Sequence, residues 1–265
     1  MDDRVAVLCP MSFFGESFRE LGHRYCLDWN GATPQGIESL FHATFRFIDW
    51  MEKTEAGAAV DRTLSVEHWP GLIRARHILV TGDIGRPPQH DSAWPLLTEN
   101  KFLEKLQHSS WRYVRTFDDG TGAGDMSRSV PAQAAELLVD GVHPPTTPVV
   151  KVVEKGRRIS VAVTSQIEPK LPTEAHLLYL FTPGRKLPLY GDRWKDEAMI
   201  PVEGKPGEFT FELPETPPDQ MVTFLVVVRQ LVKRDDIAYW RSASSLPQEC
   251  FALPTHDAKL PSWRP

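Results

Sequence analysis

Apolar positions fall into two kinds of pattern along this chain, and the change comes near residue 148. Val5 to Cys9 is a short continuous apolar run closed by Pro10. That suits a strand buried on both faces, as in a parallel sheet covered by helices. From Ser12 to about Arg62 the pattern turns helical and aromatic, with Phe13, Phe14, Phe18 and Leu21 leading. Ile37, Leu40, Phe41, Thr44, Phe45, Ile48 and Met51 then follow 3-and-4 spacing, which predicts an amphipathic helix. Thr33 before Pro34 supplies its N-cap and first-turn proline. His77–Thr81 is a second buried-strand candidate, stopped by Gly82-Asp83. A helix is expected from about Ser92 to Gln107, a third strand at Trp111–Phe117 and a short helix at Pro131–Val139. Strand, helix, strand, loop, helix is the order of a parallel sheet.

After the proline-dense stretch His143–Pro148, stiff and poor at continuing helix or sheet, the rhythm is different. Short β runs occupy Val149–Val153, Ile159–Thr164, Ala175–Phe181, Glu208–Leu213, Met221–Leu231 and Ile237–Arg241. Turn signals at Lys155-Gly156, Pro183-Gly184 and Pro206-Gly207 separate them, which predicts an antiparallel sandwich. The expected organisation is an α/β domain over residues 1–143, with a helical cap at about 12–62, and a β-sandwich over 149–254.

Charge and composition remove several classes of function. The net charge is −5, so no basic surplus exists to neutralise phosphates, and general nucleic-acid binding is excluded. No apolar run approaches the ~18 residues of a membrane span. The N-terminus lacks the basic start and long apolar stretch of a signal peptide, so a cytoplasmic protein is expected. Cys9, Cys26 and Cys250 are odd in number and far apart, which indicates reduced thiols rather than a disulfide framework or a zinc site. The histidines show no H-x-x-x-H or H-E-x-x-H spacing, so no metal and no other cofactor is expected.

Asp2-Asp3-Arg4-Val5-Ala6-Val7-Leu8 resembles the entry to a late central strand of the α/β-hydrolases, and Ile78–Asp83 is similar to the strand bearing the triad acid. Trp111–Phe117 is similar to that family's last strand, and the aromatic helices up to Met51 resemble an inserted cap. With Asp192-Arg193-Trp194 and Phe209–Pro214, the pattern resembles PhoPQ-activated pathogenicity-related proteins and some bacterial esterases. The resemblance implies an α/β-hydrolase-like parallel sheet followed by an immunoglobulin- or fibronectin-like sandwich. It implies carboxylic-ester hydrolysis as the ancestral chemistry, and Asp83 as the catalytic acid.

The chain departs from that family where the chemistry is decided. It has no G-x-S-x-G nucleophile elbow, and the loop Asp118–Asp125, where the histidine is expected, contains none. A serine hydroxyl without an adjacent base is a poor nucleophile at neutral pH. The expectation is therefore a hydrolase-like protein without a complete triad, either the C-terminal portion of a longer protein or a fold that has lost the reaction.

Two other readings stand beside it. One is a non-catalytic module that binds a protein or a glycan. If the strand at Val5–Cys9 leaves a sheet edge open, a protein partner or a second copy of the chain would cover it. The other is phosphoryl transfer at Thr121–Asp125, which resembles the T-G-A-G-D signature of ribokinase-type sugar kinases. The Ser127–Pro131 segment, however, lacks that family's small apolar helix start. The remaining candidates have structural explanations. His90-Asp91 reads as a loop with a helix cap, Glu16 and Glu20 as a solvated helix face. Trp29, Trp50, Trp69, Trp94 and Trp111 read as packing residues.

Overall fold

The computed structural model of the chain describes residues 6–9, 50–64, 69, 73, 75–83, 110–116, 126–139, 142, 144–183, 194–234, 236–246 and 248–251. Two helices stand out among them, α1 (Glu55–Leu64) and α2 (Met126–Glu136). Thr54 caps α1, its hydroxyl accepting from the Gly57 N–H at 2.9 Å. At the other end the Trp69 indole N–H donates to the Arg62 carbonyl at 2.7 Å, satisfying one of the acceptors that a helix terminus leaves open.

Twelve strands form two sheets among the described residues. The larger contains β1 (Val7–Leu8), β2 (His77–Asp83), β3 (Ser110–Thr116), β6 (Thr173–Pro183), β7 (Lys195–Ala198), β10 (Gln220–Arg234), β11 (Ile237–Ser244) and β12 (Gln248–Cys250). Its order is β1-β2-β3-β11-β10-β6-β7, with β12 also on β10. The smaller contains β4 (Val149–Lys155), β5 (Arg158–Thr164), β8 (Ile200–Pro201) and β9 (Glu208–Glu212), in the order β4-β5-β9-β8.

The two sheets pack face to face. Ile159, Val161 and Val163 of β5 and Phe209 of β9 meet Ala175, Leu177 and Tyr179 of β6 and Val222, Phe224, Val226 and Val228 of β10. In β5, buried residues alternate with residues that are half-buried or exposed, as expected of a strand covered on one face. In β10 the alternation vanishes, because Leu178, Leu225 and Val227 form a second apolar cluster with Trp194 on the opposite face. β10 is thus the centre of the structure, with β6 and β11 paired antiparallel on its two sides.

This corrects the expected fold class and the resemblance that led to it. The described chain is mainly antiparallel β-sheet with few helices, and no parallel α/β-hydrolase-like sheet forms. Among the described residues, parallel pairing is confined to β1 with β2 and β2 with β3, at one end of a sheet that is otherwise antiparallel. The Val5–Cys9 run, expected to lie centrally, contributes two paired residues at one end of the sheet among the described residues, opposite His77 and Ile78. Its apolar character also serves packing, since Val7 and Cys9 rest on the cluster of Leu79 and Val130, as do Ala134 and Leu137. The two-layer packing is compatible in part with a sandwich. Because the larger sheet also takes in β1–β3, a self-contained immunoglobulin- or fibronectin-like sandwich is not the fold, and the hydrolase assignment loses its structural basis.

Candidate functional site

Polar residues gather at two places where strands of the large sheet meet. The first lies where α2 crosses β11. Residues Val130, Ala134 and Leu137, on one stripe of the helix, pack toward β1 and β2. Gln133 and Glu136, one turn apart on another stripe, address β11. The Ser242 N–H donates to Gln133 Oε1 at 2.9 Å, and Gln133 Nε2 donates to the Trp240 carbonyl at 3.4 Å. One side-chain amide thus satisfies a backbone donor and acceptor that a neighbouring strand would otherwise take.

Glu136 lies 4% exposed beside this contact. Its Oε1 accepts from the Tyr239 hydroxyl at 2.6 Å and faces Arg241 Nη1 and Arg234 Nη2, each at 3.6 Å. Glu136 Oε2 and Arg241 Nε are buried without a hydrogen-bond partner among the described residues, so the cluster is incompletely satisfied. Burial, followed by the hydrogen bond to Glu136, pushes the Tyr239 hydroxyl up to about 12. Because the folded value lies above the unfolded value of ~10, the neutral hydroxyl's contribution is complete below pH ~10 and is lost as pH rises towards 12. Urea midpoints from pH 8 to 11.5 should therefore fall along an alkaline limb, and Tyr239→Phe should flatten the part above pH ~10. An unchanged limb in that variant would refute the assignment. The Cys250 thiol behaves alike, raised to about 12 by burial and then by its hydrogen bond to Glu154.

The second place is a charged array on the face of the large sheet opposite the two-sheet core. Register brings it together. Glu174 pairs with Arg229 across β6 and β10, and Asp196 of β7 lies opposite Leu178, on the same face as His176. The Arg229 Nε donates to Glu174 Oε1, and its guanidinium stacks 4.2 Å above the Trp240 ring. The His176 Nδ1 lies 2.7 Å from Asp196 Oδ1 and its Nε2 lies 3.5 Å from Glu174 Oε1. The close approach of Asp196 Oδ1 to Nδ1 orients the imidazole. Exposure runs in layers here. The Arg229 and His176 side chains are 7% and 16% exposed, whereas Glu174 and Asp196 remain near 40%.

The predicted site residues fare differently. Asp83 closes β2 in register with Thr116 of β3, and its side chain lies outside the described residues. So do Thr121–Asp125, His90-Asp91, Glu16, Glu20, His143, Cys26, Trp29 and Trp94. Trp50 and Trp69 are 38% and 46% exposed. Among the described residues no group of three or more His, Cys, Asp and Glu side chains is arranged to hold a metal ion. His176, Asp196, Arg229 and Trp240 were not reachable by sequence spacing, since four strands contribute the array and only their register unites it. The available signal was Arg229-Gln230, two polar residues interrupting the apolar run of β10. No helix among the described residues is long and apolar enough to cross a membrane. Compared with known protein families and with curated proteins, the chain matches none.

Proposed function

We propose that this chain is a non-catalytic recognition module whose ligand is a basic segment of a partner protein, bound at the Glu174–His176–Asp196–Arg229–Trp240 array. One observation carries the reading: two half-exposed carboxylates held from beneath by more deeply buried cationic or hydrogen-bonding side chains. Preorganised acceptors of this kind lose little freedom on binding, which is where affinity is otherwise dissipated. The Glu174 and Asp196 carboxylates, near 40% exposed, keep lone pairs open to solvent and so suit Lys or Arg donors. A glycan is less well served, because the Arg229 guanidinium occupies a face of Trp240 on which a sugar ring would stack. A cytoplasmic location, with Cys9 and Cys250 as free thiols, accompanies this proposal.

The test is titration of the purified chain against a library of Lys- and Arg-rich peptides, with a glycan array in parallel. The expected result is peptide binding that weakens with salt and falls at least about tenfold in the Glu174→Gln, Asp196→Asn double variant, measured at a temperature where both proteins are fully folded. Equal binding by the double variant, or glycan binding alone, would overturn the reading.

A further inference from the structure

The smaller sheet has two faces of opposite character. Val150 and Val152 of β4, Val161 and Val163 of β5 and Phe209 of β9 turn inward to the two-sheet core. Residues directly opposite on paired strands share a face, so the register defines the outer one. It runs in rows across the sheet: Val149–Thr164–Glu208, then Lys151–Ala162–Thr210–Ile200, then Val153–Ser160–Glu212. On this face Val149, Val153 and Ile200 are 62%, 63% and 66% exposed, the most exposed large apolar side chains among the described residues. Gathered on one face, they mark an interaction surface rather than scattered exposure.

Charge on the same face is divided by strand. Lys151 and Lys155 of β4 stand on one side, Glu208 and Glu212 of β9 on the other. Lys205 lies 3.3 Å from Glu208, and the Ser160 hydroxyl donates to Glu212 at 2.8 Å, so both carboxylates are held at the surface. Arg158, beyond the lysines, pairs with Glu215 at 3.5 Å. The middle of the face is Ala162 and Thr210, small enough for a second sheet to approach. A face with cations on one side, carboxylates on the other and exposed apolar groups on both is complementary to itself.

We infer that the outer face of the smaller sheet is a docking surface for a second copy of this chain. Its orientation follows from the charges. A two-fold axis parallel to the strands, between β5 and β9, lays β4 of one copy over β8 of the other. Val149 and Val153 then flank the second copy's Ile200, Lys151 falls between its Glu208 and Glu212, and Ala162 meets its Thr210. An axis across the strands would set β4 on β4 and oppose lysine to lysine. Four strands ~4.8 Å apart and the seven residues of β4 at ~3.3 Å each give a footprint of roughly 19 by 23 Å. That is at the low end for a specific interface, so a dimer of micromolar affinity is expected. The inference is independent of the recognition reading above, whose array lies on the far face of the large sheet.

Sedimentation equilibrium of the whole chain, from about 1 to about 200 μM, tests it. The expected result is a dimer at the upper concentrations that dissociates in high salt. Lys151→Glu, and separately the Glu208→Lys, Glu212→Lys double variant, should each weaken self-association at least about tenfold, since each sets like charges in both symmetry-related contacts. An equimolar mixture of the two should restore it to within about threefold, because every contact of the mixed dimer again joins opposite charges. Such restoration also shows that both variants are folded. A wild-type chain that stays monomeric throughout, a variant that dimerises as well as the wild type, or a mixture that stays monomeric sinks the inference.

Discussion

Replacing Glu136 by alanine should destabilise the fold by about 3–5 kcal/mol, because it leaves Arg241 buried at 5% side-chain exposure without its carboxylate. Tyr239 loses the acceptor 2.6 Å from its hydroxyl at the same time. Two further variants separate charge from space. Glu136→Gln keeps an acceptor for Tyr239 and should cost less, whereas Glu136→Ala with Arg241→Met removes both charges and should recover much of the loss. Urea unfolding of the four proteins measures the coupling. If Arg241→Met fails to rescue Glu136→Ala, the two side chains do not act as a buried pair.

Gly207→Ala should cost on the order of 3 kcal/mol, for two reasons that add. Gly207 has φ of 81°, a backbone conformation that disfavours a side chain. A Cβ there would also stand 2.1 Å from the Ser165 carbonyl oxygen, and backbone cannot move aside as a flexible side chain can. The closeness has a cause: the Ser165 N–H donates to the Gly207 carbonyl at 2.9 Å, and the Ser165 hydroxyl donates to the Thr146 carbonyl at 2.8 Å. Gly207 therefore clamps the 202–208 turn to the residue that follows β5. Gly204 is the control, with φ of 72° but open space around its Cβ position. Gly204→Ala should cost only the conformational penalty of about 1–2 kcal/mol. Equal losses at the two positions would show that the close approach is unimportant.

The strands with alternating or continuous apolar runs were legible because burial writes directly into composition. β5 shows period-two alternation, and the central β10 shows none because both its faces are covered. β7, β8 and β12 left no such trace. They have four, two and three residues, and the KDEA of β7 is exposed throughout, so pairing rather than burial makes it a strand. The parallel-sheet expectation failed for a different reason. β1, β2 and β3 do run parallel, but apolar runs do not report which strands extend the sheet beyond them. Here β3 meets β11 antiparallel, and strands from the segment read as a separate sandwich complete the sheet. Gln230 shows what polar interruptions mean in such a run. Fully buried, it donates to the Glu168 carbonyl and the Thr173 hydroxyl and accepts from the Glu168 N–H, knitting the 165–173 loop to β10. Arg229 beside it faces the other side and anchors the charged array.

The strand order also dictates a timetable. Gln133 finds its partner Ser242 across 109 residues of chain, and Glu136 finds Tyr239 across 103. During synthesis at ~5–20 residues per second, α2 and the strands before it emerge many seconds ahead of the β11 edge they must meet. The two-sheet core, by contrast, draws on strands from β4 onward and can close as soon as β10–β12 have left the ribosome. Assembly should thus run from the C-terminal strands back to the N-terminal ones, with a slow last phase as the long loop closes. Until then the apolar faces of β1, β2 and α2 lack a finished sheet to join. The nascent chain is at its most aggregation-prone in that interval, and a chaperone would matter most there.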